Sequence, residues 1–304
     1  MKNKAMIEVR NFSKSYGNFE AVKNISFDVY EGEIFGFVGP NGAGKSTTIN
    51  TLCTILPKTS GEVFINGHDV SLEQDKVRKD IGVVFQDMTL DGKMTVEQTL
   101  RLHCDFYNIP TKEVDDCIDS VLKLVDLSDY KKAMIPGLSG GMKRRVEIAR
   151  GMLHNPKVLF LDEPTTGLDP KSRENIWKYI RELQEKEGTT IFLTTHYMEE
   201  AEVCNHMAVM QNGKITAMNT PTNLKQKYTR TVLDISCIDE PKAKSCLDNR
   251  QLAYYPFGDK LRVEVGDSEQ AIDILWRLKG IIYDFEFKHG TLNDVFLNVV
   301  ERSV

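Results

Sequence analysis

The sequence predicts an α/β fold, with a mixed sheet covered by helices and a smaller α+β domain after it. Three observations carry that expectation. Apolar runs at residues 158–161, 190–193 and 207–210 alternate with amphipathic segments near 140–153, 171–187 and 197–205, the rhythm of parallel strands and their covering helices. Residues 6–39 instead place β-branched and aromatic side chains at strand spacing, broken by turn signals at Tyr16-Gly17-Asn18 and Glu31-Gly32. Beyond Pro221 strand-like and helical stretches become short and interleaved, which sets a domain boundary near residue 225.

In chain order, the strands of 6–39 carry Ile7, Val9, Phe12, Ile25, Phe27, Val29 and the run Ile34-Phe35-Gly36-Phe37-Val38. Asn66-Gly67, set between apolar positions after Ile65, is the strongest short-range hairpin signal. From about 95 to 128 the period becomes helical, with Val96, Thr99, Leu100 and His103, then Val114, Ile118, Val121, Leu122 and Val125. After the boundary, strands are expected at 231–237, 261–265 and 281–287, with a helix over 268–278. Thr291, an N-cap with Asp294 three residues on, starts a terminal helix burying Val295, Phe296 and Val299.

The chain has 304 residues and 44 acidic against 39 basic side chains, so no positive field is available to hold a polyanion. Nucleic acid is therefore not expected as a partner. Six scattered cysteines without a Cys-x-x-Cys spacing read as free thiols of a reducing compartment. The start, Met1-Lys2-Asn3-Lys4-Ala5-Met6, lacks the apolar core of a signal peptide, and no stretch approaches the ~20 apolar residues of a membrane helix. A cytoplasmic location is expected.

Gly39-Pro40-Asn41-Gly42-Ala43-Gly44-Lys45-Ser46-Thr47 follows a strand and opens a helical pattern, the context that makes a phosphate-binding loop credible. Its glycines let successive amides face phosphate oxygens, while the helix start adds positive potential. Lys45 would contact the β- and γ-phosphates and Ser46 would place a hydroxyl on Mg²⁺. The run Val158-Leu159-Phe160-Leu161-Asp162-Glu163 delivers two acids to the carboxyl edge of a sheet. Asp162 would hold the Mg²⁺, and Glu163 would orient and deprotonate an attacking water.

Leu138-Ser139-Gly140-Gly141-Met142 resembles the Leu-Ser-Gly-Gly-Gln signature of the ABC ATPase family, with Met142 in place of the usual glutamine. Other motifs occur in family order over residues 6–225: Tyr16, similar to the adenine-stacking aromatic; Gln86, closing the strand 81–85; Gly167-Leu168-Asp169-Pro170, the D-loop; and His196. The signature with Lys143-Arg144-Arg145, the run 194–202 and the terminal 291–297 are similar to drug-resistance exporters of the ABC-2 type.

This resemblance implies a P-loop NTPase fold with an antiparallel β subdomain and a helical subdomain at about 88–150. Residues 1–225 would form the ATPase domain and 226–304 an accessory domain. ATP and Mg²⁺ are the implied ligands, with Gln86 sensing the metal and water and His196 bridging the γ-phosphate and a D-loop. Ser139, Gly140, Gly141 and Asp169 would close over the ATP of a second copy or of a paralogous subunit, head to tail. An ABC-2 type permease would be the membrane partner, reached from the cytoplasmic face. The alternative is a soluble or regulatory ABC ATPase uncoupled from transport. His68, His103, His154, His206 and His289 have no metal-ligand spacing and read as structural or surface residues. Lys143-Arg144-Arg145 reads as a solvated helix face without a role.

Overall fold

Alternating apolar side chains in the first thirty residues pair two long strands, β1 (Ala5–Tyr16) and β2 (Phe19–Tyr30), in a computed structural model that describes residues 4–301. The expectations about residues 1–3 lie outside the described residues. After β3 (Ile34–Val38) and α1 (Lys45–Leu52), β4 (Ser60–Ile65) returns antiparallel to β1. The Asn66-Gly67 turn, with φ of 49° and 81°, folds β5 (His68–Asp69) back on β4. The result is an antiparallel sheet in the order β2-β1-β4-β5.

The second sheet holds the parallel strands. Helix α2 (Gln74–Asp80) leads into β6 (Ile81–Val84), and β7 (Val158–Asp162), β8 (Thr190–Thr195), β9 (His206–Gln211) and β10 (Lys214–Asn219) follow later in the chain. Their spatial order is β10-β9-β3-β8-β7-β6, and β3 runs parallel to both β8 and β9. Every residue of β3, β7 and β8 is buried, as strands covered on both faces require. Phe27 of the antiparallel sheet lies 5.5 Å from Phe35 and from Phe37, and 6.0 Å from Phe192, so one aromatic cluster cements the two sheets.

Between β6 and β7 the helical insert forms three helices: α3 (Val96–Phe106), α4 (Val114–Leu124) and α5 (Gly140–Met152). Thr95 and Gln98 close a capping box on α3. The helical pattern expected through 95–128 is interrupted because Asn108 adopts φ 53° and Pro110 cannot continue a helix. Helix α6 (Pro170–Glu187) precedes β8, and Gly188 ends it with φ 67°. The segment near 197–205 is a 3₁₀ turn, Met198–Val203, because its buried apolar positions, Met198, Ala201 and Cys204, repeat every three residues.

The contacts divide the chain between Met218 and Asn219, ahead of the expected boundary near 225. The reason is α7 (Pro221–Tyr228), which packs against the terminal helix and receives Asn298 Nδ2 on the Tyr228 carbonyl at 2.8 Å. The second unit continues with β11 (Thr231–Cys237), α8 (Glu240–Asp248), β12 (Tyr254–Phe257), β13 (Lys260–Val265), α9 (Ser268–Arg277), β14 (Ile282–Lys288) and α10 (Leu292–Glu301). Its sheet order is β12-β13-β11-β14, with Leu233, Ile235 and Val263 packed under Ala243, Leu247 and Ile274. Helix α10 buries Leu292, Val295 and Val299, whereas Phe296, expected inside, is half-buried. Among the described residues no helix is long and apolar enough to cross a membrane.

Buried Asp234 on β11 accepts two hydrogen bonds from Arg262, at 2.6 and 2.7 Å, and one from Lys288 at 3.2 Å. The Arg262 hydrogen bonds hold the Asp234 carboxyl below the ordinary carboxylate range. Because the folded-state value is the lower one, this stabilisation is complete above the ordinary range and is lost as pH falls through the depressed value. Asp234→Ala is expected to remove about 3 kcal/mol from the second unit by leaving Arg262 without its carboxylate, while Lys288 keeps Glu286 at 2.9 Å, read as a lower denaturation midpoint at neutral pH.

Candidate functional site

The site lies at the carboxyl ends of β3, β7 and β8, where an open α/β sheet collects its ligands. The chain leaves β3 at Val38, and Gly39 N–H bonds to the Thr195 carbonyl at 3.4 Å. The loop 39–44 then feeds α1, whose first amides have no partner inside the helix. Gly44, the cap, sits at φ 108°, and a side chain there would meet the Ala21 carbonyl at 2.7 Å. Glycine is thus required where the loop turns into the helix.

Lys45 is buried beneath the loop. Its Nζ donates to the carbonyls of Gly39 at 2.8 Å and Pro40 at 3.1 Å, and stands 3.7 Å from Glu163 Oε1. Burial pushes its ammonium pKa down, while Glu163 and Asp162 pull it back up. Ser46 Oγ lies 3.4 Å from Asp162 Oδ1, which also accepts a short hydrogen bond from Thr194 Oγ1. Burial pushes the Asp162 carboxyl up, against the Thr194 and Ser46 hydroxyls and Lys45.

Glu163 follows at φ 47°, a left-handed conformation costing a non-glycine residue roughly 1–2 kcal/mol. Two bonds hold it there: its amide donates to the Thr194 carbonyl and to Thr194 Oγ1, both at 3.1 Å. The two neighbouring carboxyls take different partners, Ser46 and Thr194 for Asp162, Thr166 and Lys45 for Glu163. Thr166 Oγ1 donates to Glu163 Oε2 at 3.1 Å, and His196 Nδ1 approaches the same oxygen to 3.1 Å without hydrogen-bond alignment. His196 packs on Tyr197, ring centroids 4.0 Å apart, and Arg173 of α6 caps the other ring at 4.6 Å. Buried Glu200 accepts from Thr165 and Thr195, tying the segment after Glu163 to the end of β8.

The structure thus brings together Lys45, Ser46, Asp162, Glu163 and His196. Gln86 is not joined to them: it is exposed just past β6, held through its backbone carbonyl. Tyr16 ends β1, exposed, with Lys14 Nζ 5.1 Å from its ring centroid. Ser139 caps α5, its Oγ accepting from Met142 N–H at 3.2 Å, and α5 begins at Gly140. Buried Gly141 presses on α6, where an added Cβ would meet Ser172 Oγ at 2.6 Å. Among the described residues no hydrogen bond or ion pair joins 139–141 to 39–47. Asp169 caps α6 and spends both oxygens on Ser172.

Hydroxyl and carboxylate oxygens from Ser46 and Asp162 form a hard donor pair, and two buried carboxyls beside a single ammonium leave the site short of positive charge. This composition suits a small divalent cation. Sequence reasoning gave no role to Thr194, Thr166, Glu200 and Arg173: Thr194, Glu200 and Arg173 act through contacts far along the chain, and Thr166 through the turn that sets it on Glu163 three residues back. The reading of Lys143-Arg144-Arg145 as a solvated face is corrected: Arg144 is 1% exposed, and Arg145 bonds to the Val125 and Asp126 carbonyls and to Tyr179 Oη.

A family model described as ABC transporter matches residues 22–166. The linearmycin resistance ATP-binding protein LnrL of Bacillus subtilis is 38% identical over 239 residues, covering 77% of this chain and 76% of that protein. The Nod factor export ATP-binding protein I of Rhizobium etli is 34% identical over 307 residues, covering 98% and 94%. The chain spans 38% of the length of another relative, the probable multidrug ABC transporter ATP-binding protein YbhF of Escherichia coli, at 38% identity. Among solved structures, the dimeric MJ0796, a bacterial ABC transporter cassette, superposes with a TM-score of 0.64 at 30% identity, over 71% of this chain and 98% of that one.

Thr194→Val keeps the shape of β8 but removes the hydroxyl that serves both Asp162 and the Glu163 amide. An unfolding free energy lower by about 2 kcal/mol is expected from urea titration, the cost of stranding buried polar groups.

Proposed function

This chain belongs to the ABC transporter family of ATP-binding proteins, and on that premise we propose that it binds Mg·ATP on the loop 39–47 and hydrolyses it to drive a separate membrane permease. The observation that carries the reading is Lys45: its Nζ lies under the loop, on the Gly39 and Pro40 carbonyls, and 3.7 Å from Glu163. Gly39, Pro40, Asn41, Gly42, Ala43 and Gly44 wrap the phosphates, with N–H donors from the residues other than Pro40, whose ring fixes the turn, and Ser46 and Thr47 continue the cradle into α1. Lys45 neutralises the β- and γ-phosphate oxygens. Ser46, Asp162 and Gln86 would hold the Mg²⁺, which would neutralise the charge developing on the phosphates. Tyr16 offers its exposed ring to the adenine.

Glu163 then takes the proton from the water attacking the γ-phosphorus as the bond to the β–γ bridging oxygen breaks, leaving ADP and phosphate. The two carboxyls have separate partners, so one acid is proposed to serve the metal and its neighbour the water. His196, beside Glu163 Oε2, is set to touch the γ-phosphate. The second half of the site is the Ser139-Gly140-Gly141 helix start of another copy, or of a paralogous subunit, with Asp169 beside it. That arrangement gives each exposed α5 start a phosphate to bind, and it agrees with the dimeric state of the MJ0796 cassette.

The permease is proposed to be of the ABC-2 type, contacted at the cytoplasmic face of the membrane, with export of drug-like, lipid or polysaccharide cargo as the direction. Resistance and export in the names of the relatives support this. A groove between α3 and the β6 region, lined by Ile55, Arg78, Ile81, His103, Phe106 and Tyr107, offers an apolar seat with a basic rim for a permease segment. The unit that ends at Met218 is proposed as the working ATPase domain and the unit that begins at Asn219 as an accessory domain.

Phosphate release from the purified chain tests the assignment directly. Glu163→Gln is expected to slow hydrolysis by ~10²–10⁴ while ATP binding persists and an ATP-dependent dimer accumulates. Wild-type turnover in that variant would remove Glu163 from the role of base. Lys45→Ala is expected to abolish ATP binding in a fluorescent-nucleotide titration.

A further inference from the structure

Arg144 and Glu147 form a buried ion pair one helical turn apart on α5, Nη1 to Oε2 at 3.0 Å. The rest of the guanidinium reaches across to the segment after β6: Nη1 donates to the Phe85 carbonyl at 2.5 Å and Nη2 to the Gln86 carbonyl at 2.8 Å. Glu147 continues the tie, its Oε1 accepting the Thr89 amide at 2.8 Å, and Arg150 Nη2 donates to Thr89 Oγ1 at 2.8 Å. Three residues of α5 therefore grip residues 85–89. Burial of two charges costs more than a packed apolar pair of the same volume. What the pair supplies, and an apolar pair does not, is a set of directed bonds to the backbone that carries Gln86.

We infer that Arg144, oriented by Glu147, is a positioning residue that makes the Gln86 segment and the signature helix α5 one rigid piece. The inference rests on the proposed two-copy arrangement. Docking of Ser139–Gly141 on the nucleotide of one copy then fixes where Gln86 stands at the nucleotide of the other, and the two sites fill and fire together. A planar fork is needed, because the carbonyls of Phe85 and Gln86 and the Glu147 carboxyl are bound at once. Lysine keeps the charge beside Glu147 but not the fork.

The test uses the purified full-length chain, with steady-state hydrolysis measured against ATP concentration. Arg144→Lys and the charge-free pair Arg144→Met with Glu147→Leu are compared with wild type, and thermal unfolding identifies which variants are native-like. The expected result is a Hill coefficient falling from about two to about one, since cooperativity is bounded by the number of coupled sites. kcat is expected to fall by about 10²-fold, the effect of an ångström-scale misplacement. The affinity of ATP for the monomer should stay within about twofold of wild type, as a positioning role requires. A native-like variant that keeps both the Hill coefficient and kcat overturns the inference. Glu163→Gln, run in parallel, separates the two readings: if it fails to dimerise with ATP the two-copy arrangement itself is wrong, and if it dimerises while Arg144→Lys remains cooperative only the role of Arg144 fails.

Discussion

Asp162 and Glu163 place two carboxyls side by side at the end of a fully buried strand, with one buried ammonium, Lys45, to balance them. Charges taken out of water must be paired or bonded, and much of the surrounding geometry answers that requirement. Thr194 bonds to Asp162 and to the Glu163 amide, Thr166 bonds to the Glu163 carboxyl, and Lys45 is pinned by two loop carbonyls. The remaining deficit of positive charge is what suits the composition of the site to a small divalent cation.

The same constraint explains why the parallel sheet must be rigid. Asp162 ends β7 with Glu163 directly after it, Thr194 lies on β8, and Gly39 is tied to Thr195, so a shift of one strand would unmake several hydrogen bonds at once. The aromatic cluster of Phe27, Phe35, Phe37, Phe160 and Phe192 lies against these strands and fixes the antiparallel sheet to them. Glu200 performs a related task, because its two threonine partners flank Glu163 and His196 in sequence.

Helix α5 faces both solvent and the interior. Its start presents Ser139 and Gly140 to solvent, and its first turns carry the guanidinium that holds the Gln86 backbone. In the second unit a different buried acid, Asp234, is satisfied within its own sheet by Arg262 and Lys288. Its salt bridge closes on itself and leaves no demand for a ligand.

Sequence alone determined the elements whose signals are local: the strand alternation of β1 and β2, the Asn66-Gly67 hairpin, the glycine cradle before α1, and the acids ending β7. Each depends on backbone dihedrals or on the period of burial, which neighbouring residues dictate. It set the domain boundary too late, because the packing of α7 on α10 joins residues some seventy positions apart, and it placed Phe296 too deep. It read Lys143-Arg144-Arg145 by composition, as a solvated face. Tertiary structure alone decided that Arg144 points inward, that Glu163 turns at positive φ under Thr194, and that Glu200 clamps two loops. These are properties of groups distant in sequence and adjacent in space, whose energy comes from excluded water, and no spacing rule in a single chain records which partners burial will supply.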